Sequence, residues 1–229
     1  GGGITRSFDE RLMGNLWYVS DTHVGSLYTV LPFRAFSNDM CSDLRGATCA
    51  GALRTLWSVD PATHESVADL MGLSTILAIR QTFPGKVVVP AGWRELAPQA
   101  YVRTFVRNRP VAGAGGPVWS GTGTRIHVVA RTPESVSFRV DAVGPDARVA
   151  FSRLAYPGYS VNGGAKVAAP IRGWLLAVDL RGVHDGQIVT VAFRPPGFPL
   201  LIASPLLAAV IAVWWLIVRA RDRRRAVRS

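Results

Sequence analysis

The stretch SVSFRVDA, residues 135–142, carries the clearest structural pattern in the chain. Val136, Phe138 and Val140 alternate with polar or charged side chains. Successive side chains of a β-strand point to opposite faces of the sheet, so this period of two predicts a strand with one face on a core and the other in water. Antiparallel sheets commonly bury one face in this way.

Further segments on both sides of this strand alternate in the same manner or are rich in β-branched residues. They are RIHVVA (125–130), RVAFSRLAY (148–156), WLLAVDL (174–180) and IVTVAFR (188–194). Turn signals separate them, such as GPD at 144–146 and NGG at 162–164. Short strands with turns between them predict an antiparallel β-sandwich, jelly-roll-like, over residues 111–198.

Residues 1–110 lack this regularity and predict an irregular α+β segment. Asp60-Pro61 fits an N-cap followed by the first residue of a helix. LSTILAIR at 73–80 predicts a buried strand, which we expect to pair with KVVVP at 86–90. The predicted fold class is therefore mainly β with some α.

The end of the chain is apolar. Residues 199–218 contain no charged side chain, and as a helix they would extend about 30 Å, the thickness of a bilayer core. Trp214 and Trp215 lie near the far end, where indole rings favour the membrane interface. We expect one transmembrane helix here. The alternative is a buried core helix that starts at Ser204-Pro205, but an apolar surface on all sides followed by arginines favours the span.

Residues 219–229 hold six arginines against one aspartate, which predicts a basic cytoplasmic tail. The positive-inside rule then leaves the bulk of the chain extracytoplasmic. Basic residues are nearly all arginine, and Ala, Val and Gly are abundant, which is typical of a GC-rich bacterial genome. The predicted location is the bacterial cell membrane, with the C-terminus in the cytoplasm.

The net charge of +11 does not indicate nucleic-acid binding. About half of the excess lies in the terminal tail, and no clustered basic helix with interleaved aromatic residues precedes the apolar segment. The tail is better suited to anionic head groups, so membrane lipid is the expected partner and nucleic acid is not.

The chain starts GGGITRS, without a Met or an export signal, although its body is expected outside the cytoplasm. The simplest inference is that it is the C-terminal part of a longer polytopic membrane protein. The upstream transmembrane region of that protein is then a further expected partner.

Two cysteines, Cys41 and Cys49, occur close together in CSDLRGATC. In an oxidising extracytoplasmic space this spacing makes them a disulfide candidate, and two reduced thiols are the alternative. They are not expected to bind a metal, because no histidine accompanies them and zinc requires more ligands.

Aromatic residues are the main binding candidates, because exposed indole and phenol rings can stack on the apolar faces of sugars. Trp119, Trp93 and Tyr159 are the glycan-stacking candidates; Trp119 lies in the Gly-rich stretch 111–124, which predicts a loop or linker. Ordinary core packing is the alternative for each ring.

Arginines in YVRTFVRNRP alternate along a possible strand. Arg103, Arg107 and Arg109 could therefore form a basic face for lipid phosphates or an anionic glycan, and a solvated strand face is the alternative. We identify no catalytic residue, metal site or cofactor site: the histidines are isolated, no GxSxG occurs, and the glycine-rich runs lack the context of a phosphate loop.

One region resembles a known family. In it, a strand runs into Tyr156-Pro-Gly-Tyr159, a turn follows at NGG (162–164), and IVTVAFRPP (188–196) leads into the apolar segment. This order, together with DLMGLSTILAIR (69–80), is similar to the C-terminal region of YfhO-like bacterial membrane proteins and related GT-C type glycosyltransferases. Tyr159 stands where the family more usually has Trp. The resemblance covers residues 65–218.

The resemblance implies a process rather than a catalytic site. Such enzymes transfer sugars from polyprenyl-phosphate donors during cell-envelope glycan assembly, with catalytic acids in early extracytoplasmic loops that this chain does not contain. It implies an acceptor-binding or structural part, with envelope glycan or polyprenyl-phosphate sugar as partners. The alternatives are a non-catalytic carbohydrate-binding or scaffold module of an envelope complex and an anchored hydrolase, which would need paired carboxylates or a triad.

Overall fold

The computed structural model describes residues 33–42, 48–97, 100–109, 115–197, 205, 207–215 and 219. Among the described residues between 33 and 197, the helices are α1 (Arg34–Asp39), α2 (Ala52–Trp57) and α3 (Val67–Leu70). The strands are β1 (Thr75–Ile79), β2 (Trp93–Glu95), β3 (Val102–Arg107), β4 (Pro117–Ser120), β5 (Arg125–Arg131), β6 (Ser135–Ala142), β7 (Arg148–Leu154), β8 (Tyr159–Val161), β9 (Lys166–Val167), β10 (Leu175–Asp179) and β11 (Ile188–Phe193). The chain is mainly β with few helices, as predicted.

The strands form three antiparallel sheets. We call them the lead-in sheet (order β1-β3-β2), the inner sheet (β4-β7-β10-β9) and the outer sheet (β5-β6-β11-β8). The inner and outer sheets share one hydrophobic cluster, as expected of a β-sandwich. The jelly-roll-like arrangement stays a prediction.

The outer sheet follows the period of two in its sequence. Val136, Phe138 and Val140 of β6 are buried, while Arg139 and Asp141 are exposed. Val136 lies opposite Val191 and Phe138 opposite Val189 of β11, and these residues belong to the cluster that faces the inner sheet. The prediction for β6 is confirmed.

The inner sheet is covered on both faces. Phe151 and Leu176 point into the cluster shared with the outer sheet, whereas Ala150, Leu175 and Ala177 belong to a second cluster with α2, α3 and the lead-in sheet. This second cluster combines side chains from both sides of residue 111, the predicted domain boundary. Therefore α2, α3 and the lead-in sheet cover the face of the inner sheet that points away from the outer sheet.

The lead-in segment pairs differently from the sequence expectation. The hydrogen-bonded partner of β1 is β3, while residues 86–90 form no strand. The expected helix begins at Val67, where the Ser66 hydroxyl accepts the Asp69 N–H. Asp60 caps a turn instead, because its carboxylate accepts the backbone N–H groups of two following residues.

The Gly-rich stretch 111–124 contains a strand, which corrects the prediction of a loop. Pro117–Ser120 form β4 and pair with β7 at the edge of the inner sheet. Val118 and Trp119 pack against the second cluster, so burial of these side chains stabilises a strand between glycine-rich flanks. Residues 111–114 lie outside the described part of the chain.

The C-terminal segment is described at residues 205, 207–215 and 219, all of which are helical. Its large apolar side chains, from Leu207 to Trp215, are between 51% and 64% exposed. No helix among the described residues is long and apolar enough to cross a membrane. The predicted segments 1–32, 199–204, 216–218 and 220–229 lie outside the described residues.

Candidate functional site

A cleft of about 400 Å³ opens at one end of the lead-in sheet. β1 and β2 end there and β3 begins there, so residues distant in sequence become neighbours. A turn after β1, in which the backbone N–H groups of Thr82 and Phe83 donate to the Ile79 carbonyl, closes one side. The cleft is lined by Arg80, Phe83, Pro84, Gly85, Lys86, Glu95, Leu96 and Arg103.

Arg103 and Glu95 form the fixed part of this cleft. The guanidinium donates from Nε to Oε1 at 2.7 Å and from Nη2 to Oε2 at 2.6 Å, which is bidentate pairing. Its Nη1 donates to the Gly85 carbonyl at 2.7 Å, so the same side chain holds the turn against the sheet. The guanidinium carbon also lies 5.4 Å from the centre of the Phe105 ring. Arg103 is therefore positioned before any ligand arrives.

The electrostatics of the cleft are positive. Three cationic side chains, Arg80, Lys86 and Arg103, line it with a single carboxylate, Glu95. The hydrogen bonds from Arg103 outweigh burial and lower the pKa of Glu95, with Arg80 adding a favourable charge. Glu95 is therefore ionised at neutral pH, and cationic side chains outnumber carboxylates among the residues that line the cleft. The site is suited to an anion.

The other two predicted arginines do not reach the cleft. Arg107 forms an ion pair with Asp69 and lies 5.7 Å from the Trp93 ring centre. Arg109 is exposed and lies beyond the end of β3. Arg103 and Arg107 are each held by a carboxylate on a neighbouring element, so the structure places the three arginines in different surroundings.

The three glycan-stacking candidates lie partly or wholly inside the protein. Trp93 is 7% exposed, and Trp119 lies in β4, half-buried, with the Arg148 guanidinium 5.7 Å from its ring centre. Tyr159 of β8 packs against Phe193, with ring centres 4.9 Å apart, and burial raises the pKa of Tyr159. The structure thus favours the core-packing alternative for these rings.

The same holds for the aromatic residues around them. Between residues 33 and 197, every described Phe, Trp and Tyr is buried or half-buried. Trp214 and Trp215 are exposed instead, in the C-terminal helix. Exposed aromatic surface in the described chain is therefore concentrated in the apolar terminal segment rather than on the sandwich.

A polar network ties α1 to the loop before β10. Arg172 donates to both carboxylate oxygens of Asp39 at 2.7 and 2.6 Å, and the Trp174 indole N–H donates to the same carboxylate at 2.7 Å. Asp60 lies 3.7 Å from the same guanidinium. Cys41, two residues after Asp39, forms a disulfide with Cys49, with their Cα atoms 5.7 Å apart. The contacts of Asp39 and Asp60 fix α1 and the turn after α2 to the loop before β10.

The described side chains do not assemble acid–base machinery in the cleft. Its one carboxylate, Glu95, is already engaged by Arg103, so it lacks the paired partner that a glycoside hydrolase needs. No group of three or more His, Cys, Asp or Glu that could hold a metal ion occurs within the described ranges. The arrangement can hold and orient an anion by charge and hydrogen bonds.

Sequence reasoning identified Arg103 and missed Arg80, Lys86 and Glu95. The signal that could have found them is the pairing of β1 with β3, which brings the ends of three strands together. No local spacing contains that information.

Comparison with protein-family models, with curated proteins and with solved structures finds no match to this chain.

Proposed function

We propose that this chain is the C-terminal extracytoplasmic portion of a polytopic bacterial membrane protein, similar to polyprenyl-phosphate-sugar-dependent glycosyltransferases of cell-envelope assembly. The sandwich and its lead-in segment lie outside the cytoplasm, residues 199–218 cross the bilayer, and residues 219–229 are cytoplasmic. This part of the protein binds the acceptor or has a structural role, and the catalytic residues lie in the upstream membrane region.

The exposed apolar helix carries this proposal. Residues 207–215 are helical, and their large side chains are more than half exposed. Fully burying a Val, Leu or Ile side chain is worth about 1.5–3 kcal/mol, so an apolar helix of this kind is costly in water. Soluble proteins rarely present such a surface without something that covers it. Lipid is the covering that the charge-free run of 199–218 and the arginines after it favour.

The end of the helix also supports a membrane boundary. The Arg219 guanidinium lies 4.7 Å from the centre of the Trp215 ring. Tryptophan and arginine are the side chains that commonly mark the interface, the ring by its amphipathic character and the arginine by extending toward head groups. Their contact fits a cytoplasmic interface at this point.

The disulfide supports the proposed extracytoplasmic location of the residues that precede the terminal helix. Disulfides persist in oxidising compartments and are rare in the reducing cytosol. The bond between Cys41 and Cys49 therefore agrees with an extracytoplasmic lead-in segment.

The carbohydrate-binding alternative is less favoured. It relies on exposed rings, and the described rings of the sandwich are at least half-buried. A scaffold role needs no such rings and is compatible with the same surface.

Site-directed cysteine labelling of the full-length protein in intact bacterial cells tests the proposed topology. Ser160→Cys places a thiol at an exposed position of β8, and Ser229→Cys places one in the tail. We expect an impermeant maleimide to label Ser160→Cys in intact cells and Ser229→Cys only after permeabilisation. Labelling of the tail in intact cells, or of neither site before permeabilisation, would contradict the proposal.

A further inference from the structure

We propose that the cleft lined by Arg80, Lys86, Glu95 and Arg103 binds a phosphate monoester carried on a small sugar or on a lipid head. The cleft belongs to the lead-in sheet and is separate from the terminal helix. The inference therefore does not depend on the proposed topology.

Charge and donor geometry favour phosphate. More cationic side chains than carboxylates line the cleft, which suits a phosphate monoester because it is an anion near neutral pH. Each terminal nitrogen of Arg103 carries two hydrogens. Among the contacts between described residues, Nη1 donates one to Gly85 and Nη2 donates one to Glu95, so a second N–H on each nitrogen remains for a ligand. Planar guanidinium donors suit the tetrahedral oxygens of phosphate.

Pre-organisation also favours a binding role. The Gly85 carbonyl and the Phe105 ring hold Arg103 in addition to Glu95, so little side-chain entropy is lost when an anion binds. Two of these three restraints stay in place when the Glu95 charge is removed. Lys86 is exposed at the rim, and the flexible stem of a lysine lets its ammonium group approach a ligand that enters from solvent.

The size of the cleft allows more than the phosphate. A volume of about 400 Å³ lies within the range of small-molecule sites and exceeds what one phosphate fills. Phe83, Pro84 and Leu96 provide apolar surface beside the charges. A sugar ring or the glycerol part of a lipid head can occupy this space while the phosphate contacts the cations.

Glu95 gives the proposal a test with a defined sign. In a purely structural ion pair, Glu95→Gln would weaken the fold and add no affinity for anions. In a phosphate site, the same change removes a repulsive charge and frees the Arg103 guanidinium, so affinity for phosphate should rise. The opposite change in charge, Lys86→Gln, should weaken binding.

The experiment is calorimetric titration of the full chain in a neutral detergent that contains no phosphate. The probes are glucose 1-phosphate, dihexanoyl phosphatidic acid, inorganic phosphate and glucose. We expect the phosphate-bearing probes to bind, glucose not to bind, and added salt to weaken binding. Tighter binding of glucose 1-phosphate assigns the site to sugar phosphates, and tighter binding of phosphatidic acid assigns it to lipid heads.

Variants complete the test. Lys86→Gln should weaken binding about fivefold, as expected for loss of one partly exposed charge-assisted contact, and Glu95→Gln should strengthen it. Arg94→Gln is the matched control, because Arg94 is exposed on β2 and does not line the cleft. Circular dichroism checks that each variant is folded. Absence of phosphate binding, equal binding of glucose, no gain in affinity in Glu95→Gln, or equal losses in Lys86→Gln and Arg94→Gln would overturn the proposal.

Discussion

The inner and outer sheets differ in how many of their faces are covered. β6 of the outer sheet alternates, with buried Val136 and Phe138 separated by half-buried Ser137. β10 of the inner sheet has four consecutive buried residues, Leu175–Val178. Both are antiparallel strands of one sandwich, so the difference comes from what packs on the second face.

The second face of the inner sheet is covered by α2, α3 and the lead-in sheet, which form a cluster of their own. A strand between two clusters needs apolar residues on both sides and loses the period of two. A strand with one solvated face keeps it. The hydrophobic pattern of a strand therefore reports the number of layers around it as well as its conformation.

The largest expected effect concerns neighbouring residues of β10. Leu175→Ala and Leu176→Ala should each lower the free energy of unfolding by about 2–5 kcal/mol, because each leaves a cavity in a different cluster. Urea titration of the full chain in detergent, followed by tryptophan fluorescence, measures both.

The result would contradict the two-cluster description if one of the two substitutions had little effect. That outcome would mean that one face of the inner sheet is solvated in solution. Because the side chains point to opposite faces, the two losses should also be nearly additive in the double variant.

Strand positions were largely predictable from sequence, because they depend on local periodicity and turns. The predicted segments 125–130, 135–142 and 188–194 correspond to β5, β6 and β11 within one residue at each end. β4 was missed, since four residues between glycines give no periodic signal and burial by distant partners stabilises them.

Non-local features were not predictable. The turn signal at Pro84-Gly85 favoured residues 86–90 as the partner of β1, but β1 pairs with β3, and the turn after β1 lines the cleft. Arg103 was identified by its residue type. Its grouping with Arg80, Lys86 and Glu95 depends on which strand ends meet, and local spacing does not encode that.

A smaller effect is expected where α1 is tied to the inner sheet. Burial alone would raise the pKa of Asp39, but hydrogen bonds from Arg172 and Trp174 outweigh it and lower the pKa below 3.8. Asp39→Asn should therefore cost about 1–2 kcal/mol near neutral pH, as expected for weakened charge-assisted hydrogen bonds.

The stability lost in Asp39→Asn should depend on pH in a defined direction. A carboxylate whose pKa is lower in the folded state stabilises the fold at pH values above its pKa in the unfolded state. This contribution is lost as the pH falls through the pKa in the folded state. The difference in stability between the wild type and Asp39→Asn should thus be fully present near pH 7 and should shrink below about pH 4. Asp60, which also faces Arg172, is present in both proteins, so the comparison isolates Asp39. A difference that stays constant on acidification would exclude the ionised carboxylate as the source.

The smallest effect is expected on the solvated face of the outer sheet. Arg139 of β6 pairs with Asp141 at 2.8 Å, and its side chain is 52% exposed. Surface pairs of this kind contribute little, so Arg139→Ala should change the free energy of unfolding by less than about 0.5 kcal/mol. The same urea titration measures the change. Phe138→Ala is the matched control, because Phe138 is the preceding residue of β6 and lies on its buried face, so a loss of about 3–5 kcal/mol is expected. A large cost for Arg139→Ala would mean that this face is covered in the intact protein. The outer sheet would then resemble the inner one, with a further layer supplied by another part of the protein or by a partner.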